Sequence, residues 1–214
     1  DAQFGVFGGQ AGTVTVAGKQ SFTGLQFLTG GYQLVAGTGG SLAPVNAADG
    51  SLAAVRVNAG ASTQISAPLV GAGGIEKLDA GTLILSGANT YTGGTRVSGG
   101  TLVGNTTSLQ GNIVDNATLV FQQDADGRFN GVLSGTGTAI KQGNGSLLLT
   151  GNQPFSGNLA VNQGLLQVGN AANPGTVLGA QVTVGAAGML TGTGSVAGGI
   201  TEVQCVFHPQ QQPA

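Results

Sequence analysis

The acidic residues are the strongest candidates for chemistry in this sequence. Asp124 and Asp126 lie two residues apart in the segment QQDADGR, so on a strand both would face the same side. Paired carboxylates supply the acid and base of glycoside hydrolysis, and a weak Ca²⁺ site would use the same oxygen ligands. The sequence favours a solvated turn instead, because Asp-Gly is a turn dipeptide. Asp124 and Asp126 are therefore kept as a weak alternative acidic site.

Other catalytic and metal-binding patterns are absent from the sequence. The one histidine, His208, and the one cysteine, Cys205, are too few for a catalytic triad or for a set of metal ligands. No nucleophile elbow, phosphate-binding loop or dinucleotide-binding glycine motif occurs, despite 42 glycines. The sequence thus predicts no catalytic residue, no metal site and no cofactor.

The composition excludes several classes of protein. Glycine makes up 42 of the 214 residues, yet it follows no period of three and only 6 residues are proline, which excludes collagen. Glycine also disfavours helices, and 40% hydrophobic with 7% charged residues is not the composition of a disordered chain. A net charge of −2 disfavours nucleic-acid binding, and no apolar stretch suits direct membrane insertion. A β-rich chain with frequent turns remains.

The sequence contains an internal repeat. Residues 71–102 and 135–166 align without a gap at an offset of 64, and 11 of the 32 aligned positions are identical. Such a match indicates a repeating structure and gives no sign of catalysis. The structural-repeat positions, with the similar pair Tyr91 and Phe155 included, are Gly71, Gly73, Lys77, Gly81, Leu83, Leu85, Gly87, Tyr91, Gly93, Val97, Gly100 and Leu102 in the first unit and Gly135, Gly137, Lys141, Gly145, Leu147, Leu149, Gly151, Phe155, Gly157, Val161, Gly164 and Leu166 in the second.

Each repeat unit contains short alternating runs that are bounded by glycine, such as Thr82–Ser86 and Ser146–Thr150. No window favours a helix longer than a turn or two. The repeat offset divides into three coils of about 21 residues each, which lies within the range of solenoid repeats. The sequence therefore predicts an all-β fold, a parallel β-helix (β-solenoid) of roughly nine coils over residues 1–200.

The repeat resembles that of a known family. Residues 71–102, GAGGIEKLDAGTLILSGANTYTGGTRVSGGTL, resemble the passenger-associated transport repeat of autotransporters, which are surface and secreted proteins of Gram-negative bacteria. Ser21–Phe27 and Gly31–Leu34 resemble the segment that precedes this repeat, and Gly188–Val196 resembles the next coil edge. The resemblance covers roughly residues 13–199 and implies a right-handed parallel β-helix.

The resemblance also implies partners and a location. Autotransporters use type V secretion, in which a C-terminal outer-membrane β-barrel carries the passenger to the cell surface or beyond. The chain's own barrel is therefore one expected partner, and a host-cell surface, matrix or glycan is another. No series of ten-residue amphipathic strands follows residue 200, so we expect a passenger fragment without its barrel.

Two pairs of repeat residues and the end of the chain complete the expectations. We expect Lys77 and Lys141 at the surface of a stalk, and Tyr91 and Phe155 stacked between coils or capping the core.

Residues 201–214 lack glycine and are expected to form a non-solenoid tail, either because the chain leaves the solenoid or, as we favour, because they were added in cloning.

The function predicted from the resemblance is non-enzymatic. The chain would be a surface-exposed or secreted passenger fragment that serves as β-helical stalk and secretion-supporting scaffold of an adhesin with a role in virulence. One alternative is a β-helical polysaccharide-degrading enzyme that uses Asp124 and Asp126. A fragment of a cytotoxin-type passenger is the other.

Overall fold

The computed structural model of the protein describes residues 2–202, and every regular element in this range is a β-strand. No helix among these residues is long and apolar enough to cross a membrane. The strands are β1 (Gln3–Phe7), β2 (Thr13–Val16), β3 (Lys19–Phe27), β4 (Gln33–Ala36), β5 (Ser41–Pro44), β6 (Ala53–Val57), β7 (Ser62–Ile65), β8 (Ile75–Leu78), β9 (Thr82–Leu85), β10 (Thr95–Val97), β11 (Thr101–Gly104), β12 (Ile113–Asp115), β13 (Thr118–Gln122), β14 (Gly127–Phe129), β15 (Leu133–Ser134), β16 (Thr138–Gln142), β17 (Ser146–Leu149), β18 (Asn152–Gln153), β19 (Asn158–Val168), β20 (Val177–Leu178), β21 (Gln181–Thr191), β22 (Ser195–Val196) and β23 (Ile200–Glu202).

The strands stack in parallel as the coils of a solenoid. The first sheet holds ten levels in one column, formed by β2, β4, β7, β9, β11, β13, β16, the first halves of β19 and β21, and β23. The register of this column runs without interruption from Thr13 to Thr201. The predicted all-β parallel solenoid is therefore confirmed, with about ten turns.

Further stacks of strands line the other sides of the coils. The second sheet stacks β1, β3, β6, β8, β10, β12 and β15, and the short strands β18, β20 and β22 form a small sheet of their own. The third side begins at β14 and continues through β17 and the second halves of β19 and β21, which turn a corner and so contribute to two sides.

The core lies between these sides as ladders of inward-facing aliphatic residues. Strand alternation sends every second side chain inward, and parallel pairing places equivalent side chains above one another. One such ladder, in which no member is more than 1% exposed, consists of Leu83, Leu102, Leu119, Ala139, Leu159 and Val182. Full burial of one leucine stabilises the fold by about 1.5–3 kcal/mol.

The two repeat units occupy different sides of the solenoid. In the second sheet, Ile75, Thr95, Ile113 and Leu133 lie above one another on four consecutive coils. The number of residues from Ile75 to Leu133, which is the length of three coils, is therefore smaller than the repeat offset. Each residue of the second unit therefore lies further along its coil than the equivalent residue of the first unit, so the second unit occupies the next side of the solenoid. The first unit turns the corner from β8 to β9, whereas the second turns the corner from β16 to β17. The prediction that the offset equals three coils is wrong here, because these coils are shorter than expected.

Two of the repeated glycines are required by close packing between coils. A Cβ built on Gly157 would overlap the carbonyl oxygen of Gly137, and one built on Gly93 would overlap the backbone nitrogen of Gly74. Neither Gly93 nor Gly157 has a positive φ, so conformation alone does not demand glycine there. Only a residue without a side chain allows the neighbouring backbone to approach this closely.

One coil is longer than the others. It separates Gln33 from Gln64, which are neighbours in register, and its extra residues form β5 and the loop at 45–52. At the other end, β23 includes residues 201 and 202, so strand structure extends two residues past the predicted boundary. The rest of the predicted tail, with Cys205 and His208, lies outside the described residues.

Candidate functional site: buried polar residues that join the coils

Lys77 lies inside the solenoid, at the corner between β8 and β9. The residue is 0% exposed. Its Nζ donates hydrogen bonds to the carbonyl oxygens of Leu78 (2.8 Å), Asp79 (2.9 Å) and Gly99 (3.0 Å). Leu78 and Asp79 belong to the same corner, whereas Gly99 belongs to the corner of the next coil. The three acceptors match the three N–H donors of an ammonium group, so Lys77 joins two consecutive corners.

Lys141 repeats this arrangement at the corner between β16 and β17. The residue is 1% exposed. Its Nζ donates to the carbonyl oxygens of Gln142 (3.1 Å), Gly143 (2.7 Å) and Gln163 (3.0 Å). The acceptors lie one, two and 22 residues after the lysine, as they do for Lys77. The same sequence motif thus builds the same inter-coil contact on two different corners.

The expectation that both lysines lie at the surface is wrong. Ile75 and Lys77 are two residues apart on one strand, and Ile75 is fully buried, so Lys77 faces inward as well. Ala139 and Lys141 are related in the same way. The aliphatic stem of each lysine joins the apolar ladder while its ammonium reaches the corner carbonyls. Strand alternation was the sequence signal that could have placed both lysines inside.

The surroundings of the two ammonium groups shift their pKa values in the same direction. Burial lowers the pKa of Lys77 to about 8, and the nearby carboxylate of Asp79 opposes this shift. Burial likewise lowers the pKa of Lys141, with Asp124 in opposition. A lysine with a lowered pKa can act as a nucleophile or base, but only where substrate can reach it. Both lysines are enclosed by backbone carbonyls, so this arrangement serves structure.

A pair of buried amides provides a second set of contacts between coils. Asn89 Oδ1 accepts a hydrogen bond from the Leu69 N–H (2.8 Å), and Gln153 Oε1 accepts one from the Leu133 N–H (2.6 Å). In both cases the donor belongs to the preceding coil. Asn89 Nδ2 also donates to the carbonyl of Ser108 in the following coil (2.7 Å). Asn89 and Gln153 are equivalent positions of the repeat, and a comparison by identity misses them because the two side chains differ in length.

The two repeated aromatic residues lie inside the core. Tyr91 is 1% exposed and Phe155 is 0% exposed. The hydroxyl of Tyr91 shares a hydrogen bond with Thr95 Oγ1 at 2.6 Å, which satisfies its polar end. Both rings therefore serve packing, and neither forms an exposed platform on which a sugar could stack.

Asp115 is a buried carboxylate that sequence reasoning did not single out. It is 0% exposed and lies two levels from Lys77 on the same inward ladder, with Val97 between them. Its Oδ1 accepts a hydrogen bond from the Ala117 N–H (3.1 Å), while Oδ2 has no partner among residues 2–202. Burial raises the pKa of Asp115 to about 6, and the hydrogen bond from Ala117 only partly opposes this.

Asp124 and Asp126 lie in the exposed turn between β13 and β14. Asp124 Oδ1 accepts a hydrogen bond from Gln122 Nε2 (2.9 Å), and Asp126 Oδ1 accepts one from the Ser146 N–H (2.8 Å). The contact with Ser146 lowers the pKa of Asp126, whereas a general acid needs a raised pKa. Within the described part of the chain, no cluster of three or more His, Cys, Asp or Glu residues could hold a metal ion.

Comparisons with known proteins agree with this architecture. The family described as Passenger-associated-transport-repeat matches residues 75–103 and 140–168, the two segments that contain the buried lysines. The Adhesin BmaC autotransporter of Brucella suis biovar 1 (strain 1330) is 34% identical over 225 aligned positions, which cover 89% of this chain and 6% of that relative's length. No solved structure matches the chain. With two such repeats in a parallel β-solenoid and this similarity along most of its length, the chain is a segment of an autotransporter passenger, a class of protein that is exposed on the bacterial surface or secreted.

Proposed function

We propose that this segment is a stalk and secretion-supporting scaffold within an adhesin-type passenger. The observation that carries the proposal is the pair of buried lysines, each of which ties its own corner to the corner of the next coil. A rod whose coils are joined in this way can hold a binding region away from the cell. The similarity to a relative named as an adhesin supports adhesion as the activity of the whole passenger.

The same contacts give a physical route to assisted secretion. An autotransporter passenger is carried by its own C-terminal β-barrel. A coil that has emerged offers the next one an apolar ladder and unpaired corner carbonyls, so each docking event is favourable by itself. Folding outside the cell would then disfavour backward movement of the chain through the barrel.

The scaffold proposal is tested by display on a Gram-negative cell. The chain, with an epitope at its N-terminus, is joined to an autotransporter barrel, and protease added to intact cells reports what is exposed. We expect an exposed epitope and a protease-resistant solenoid. The double substitution Lys77→Met and Lys141→Met should reduce both the exposure of the epitope and the protease resistance of the solenoid. Lys19→Met, which alters an exposed lysine on β3, should reduce neither. Equal display by the double variant and the unchanged chain would contradict the proposal.

We further propose that this segment acts without catalysis. Its best acidic candidates, Asp124 and Asp126, are held in an exposed turn by separate hydrogen bonds. The test is to incubate the purified chain with polysaccharides and to measure the release of reducing ends. If the chain cleaves a polysaccharide and Asp124→Asn with Asp126→Asn abolishes the cleavage, the enzyme alternative is correct.

A further inference from the structure

A groove lies on the outer face of the second sheet, beside the loop at 45–52. Its floor consists of outward-facing residues on three consecutive strands, Glu76 on β8, Arg96 on β10 and Val114 on β12. Residues 50–52 of the loop form one wall, and the groove encloses about 330 Å³. The wall exists because the coil that contains this loop is longer than its neighbours. An insertion that overhangs a regular sheet is a common location for binding.

The groove presents hydrogen-bonding groups that the fold leaves unused. The exposed Arg96 guanidinium has no hydrogen-bond or ion-pair partner within residues 2–202, although Glu76 is its neighbour on the adjacent strand. Glu76 Oε1 accepts a hydrogen bond from Ser98 Oγ (2.6 Å), and its Oε2 has no partner in the described range. Asn112 Oδ1 accepts the Val132 N–H (3.0 Å), whereas its Nδ2 has no partner in that range. Two donors and one acceptor therefore line the same groove.

The charge and polarity of the groove restrict its ligand. Arg96 and Glu76 are the charged residues of the lining and balance each other, so the groove has no excess positive charge and phosphate-rich ligands are disfavoured. Leu52 and Val114 are the main apolar lining, which leaves no pocket for a hydrophobic anchor of a protein partner. What the lining suits is a neutral molecule that donates and accepts hydrogen bonds at adjacent atoms.

We infer that this groove is a binding subsite for a neutral saccharide. Adjacent hydroxyl groups of a sugar can donate to the Glu76 carboxylate and accept from the Arg96 guanidinium and the Asn112 amide, and hydrogen bonds to charged groups are the stronger ones. Neighbouring strands are about 4.8 Å apart, a spacing that adjacent hydroxyl groups can bridge. This inference rests on the proposed adhesin function and names a ligand class for it.

The affinity of one such subsite is expected to be low. No aromatic residue lines the groove, so a bound sugar lacks a stacking surface. A dissociation constant of about 1 mM corresponds to a few hydrogen bonds of this kind. Many copies of the passenger on one cell would compensate by simultaneous binding to a glycosylated surface.

The test is an NMR titration of the ¹⁵N-labelled chain with methyl mannoside, lactose and N-acetylglucosamine. We expect at least one of these probes to shift the signals of Gly93, Gly94 and the Arg96 side chain, which line the groove. Arg96→Gln and Glu76→Gln should each weaken that binding about tenfold. Arg128→Gln is the matched control, because Arg128 is exposed on β14, on another side of the solenoid.

Three results would overturn the inference. They are no shift with any neutral probe, equal weakening by Arg128→Gln and Arg96→Gln, and tighter binding of trigalacturonate, an acidic saccharide, than of the neutral probes. The display assay separates this inference from the scaffold proposal. Arg96→Gln should be displayed normally, so a failed titration with normal display removes the saccharide subsite alone.

Discussion

Buried ammonium groups are tolerated in this solenoid because each finds a complete set of acceptors. Burial of a charge without partners is strongly unfavourable, and a lysine presents three donors at once. Lys77 and Lys141 each find three carbonyl oxygens at a corner, two from their own coil and one from the next. The hydrogen bonds of these side chains are complete only when two consecutive coils are docked.

The first prediction at this scale concerns the lysines themselves. Lys77→Met keeps most of the side-chain volume but leaves three buried carbonyls without their donor. We expect the free energy of unfolding to fall by about 2–4 kcal/mol in urea denaturation at pH 7. Lys141→Met should behave similarly, and Lys19→Met at the surface should change stability by less than about 0.5 kcal/mol. If Lys77→Met and Lys19→Met are equally stable, the lysine contacts contribute nothing.

The second residue-scale prediction concerns pH. The pKa of Asp115 is about 6 in the folded chain against an ordinary value of 3.8, so the folded state binds this proton more tightly than the unfolded state. Its contribution is therefore favourable at low pH and is lost as the pH rises from about 4 through about 6, by about 3 kcal/mol. Asp115→Asn should remove this slope in denaturation experiments across that range.

Asp126 is the control for the Asp115 experiment, because its pKa is shifted in the opposite direction. The pKa of Asp126 is lowered by the hydrogen bond from Ser146, so this exposed carboxylate favours folding more as the pH rises. Asp126→Asn should therefore leave the Asp115 slope in place. An unchanged slope in Asp115→Asn would show that another group causes it.

At the scale of elements, the repeating unit of this chain is a corner with its two flanking strands. The residues around Lys77 and those around Lys141 form the same local structure on different corners. The alternation of Thr82–Leu85 and the glycines that bound it are local signals, so sequence comparison could find the unit. Sequence comparison could not show on which side of the solenoid each unit lies, because the side depends on the summed lengths of the coils between the two units.

A prediction at this scale tests the close approach of coils. Gly157→Ala would place a Cβ against the backbone carbonyl of Gly137, which cannot move without disturbing its own coil. We expect a loss of about 2–3 kcal/mol in the free energy of unfolding. Gly175→Ala is the matched control, because it has open space around the new Cβ and no positive φ. A neutral Gly157→Ala would mean that neighbouring coils separate easily.

At the scale of the whole molecule, stability is the sum of coils and of the contacts between them. Each level of the first sheet pairs only with the levels directly before and after it. The core of the solenoid is a continuous set of ladders along its axis, in which each coil packs mainly on its two neighbours, so a coil can be removed without loss of the others.

The prediction at this scale is that deletion of residues 138–157 leaves a folded solenoid. Asn158 then takes the place of Thr138 above Thr118, since these residues share one register position. We expect a cooperative urea transition whose slope falls by about one tenth, because less surface is exposed on unfolding. Deletion of residues 138–147 removes half a coil, breaks the register and should abolish the transition. A folded half-coil variant would contradict the assigned register.

The sequence by itself determined the fold class and the repeat, because alternation and glycine turns act over a few residues. Tertiary structure decided three other features. It placed Lys77 and Lys141 inside, set the second repeat one side away from the first, and formed the groove between Arg96 and the loop at 45–52. Strand alternation marks the two lysines as inward-facing, but their acceptors come from two consecutive coils and exist only in the folded chain. The other two features depend on how coils of unequal length add up along the rod, from the short coil after Thr95 to the long one after Gln33, and no local pattern carries that sum.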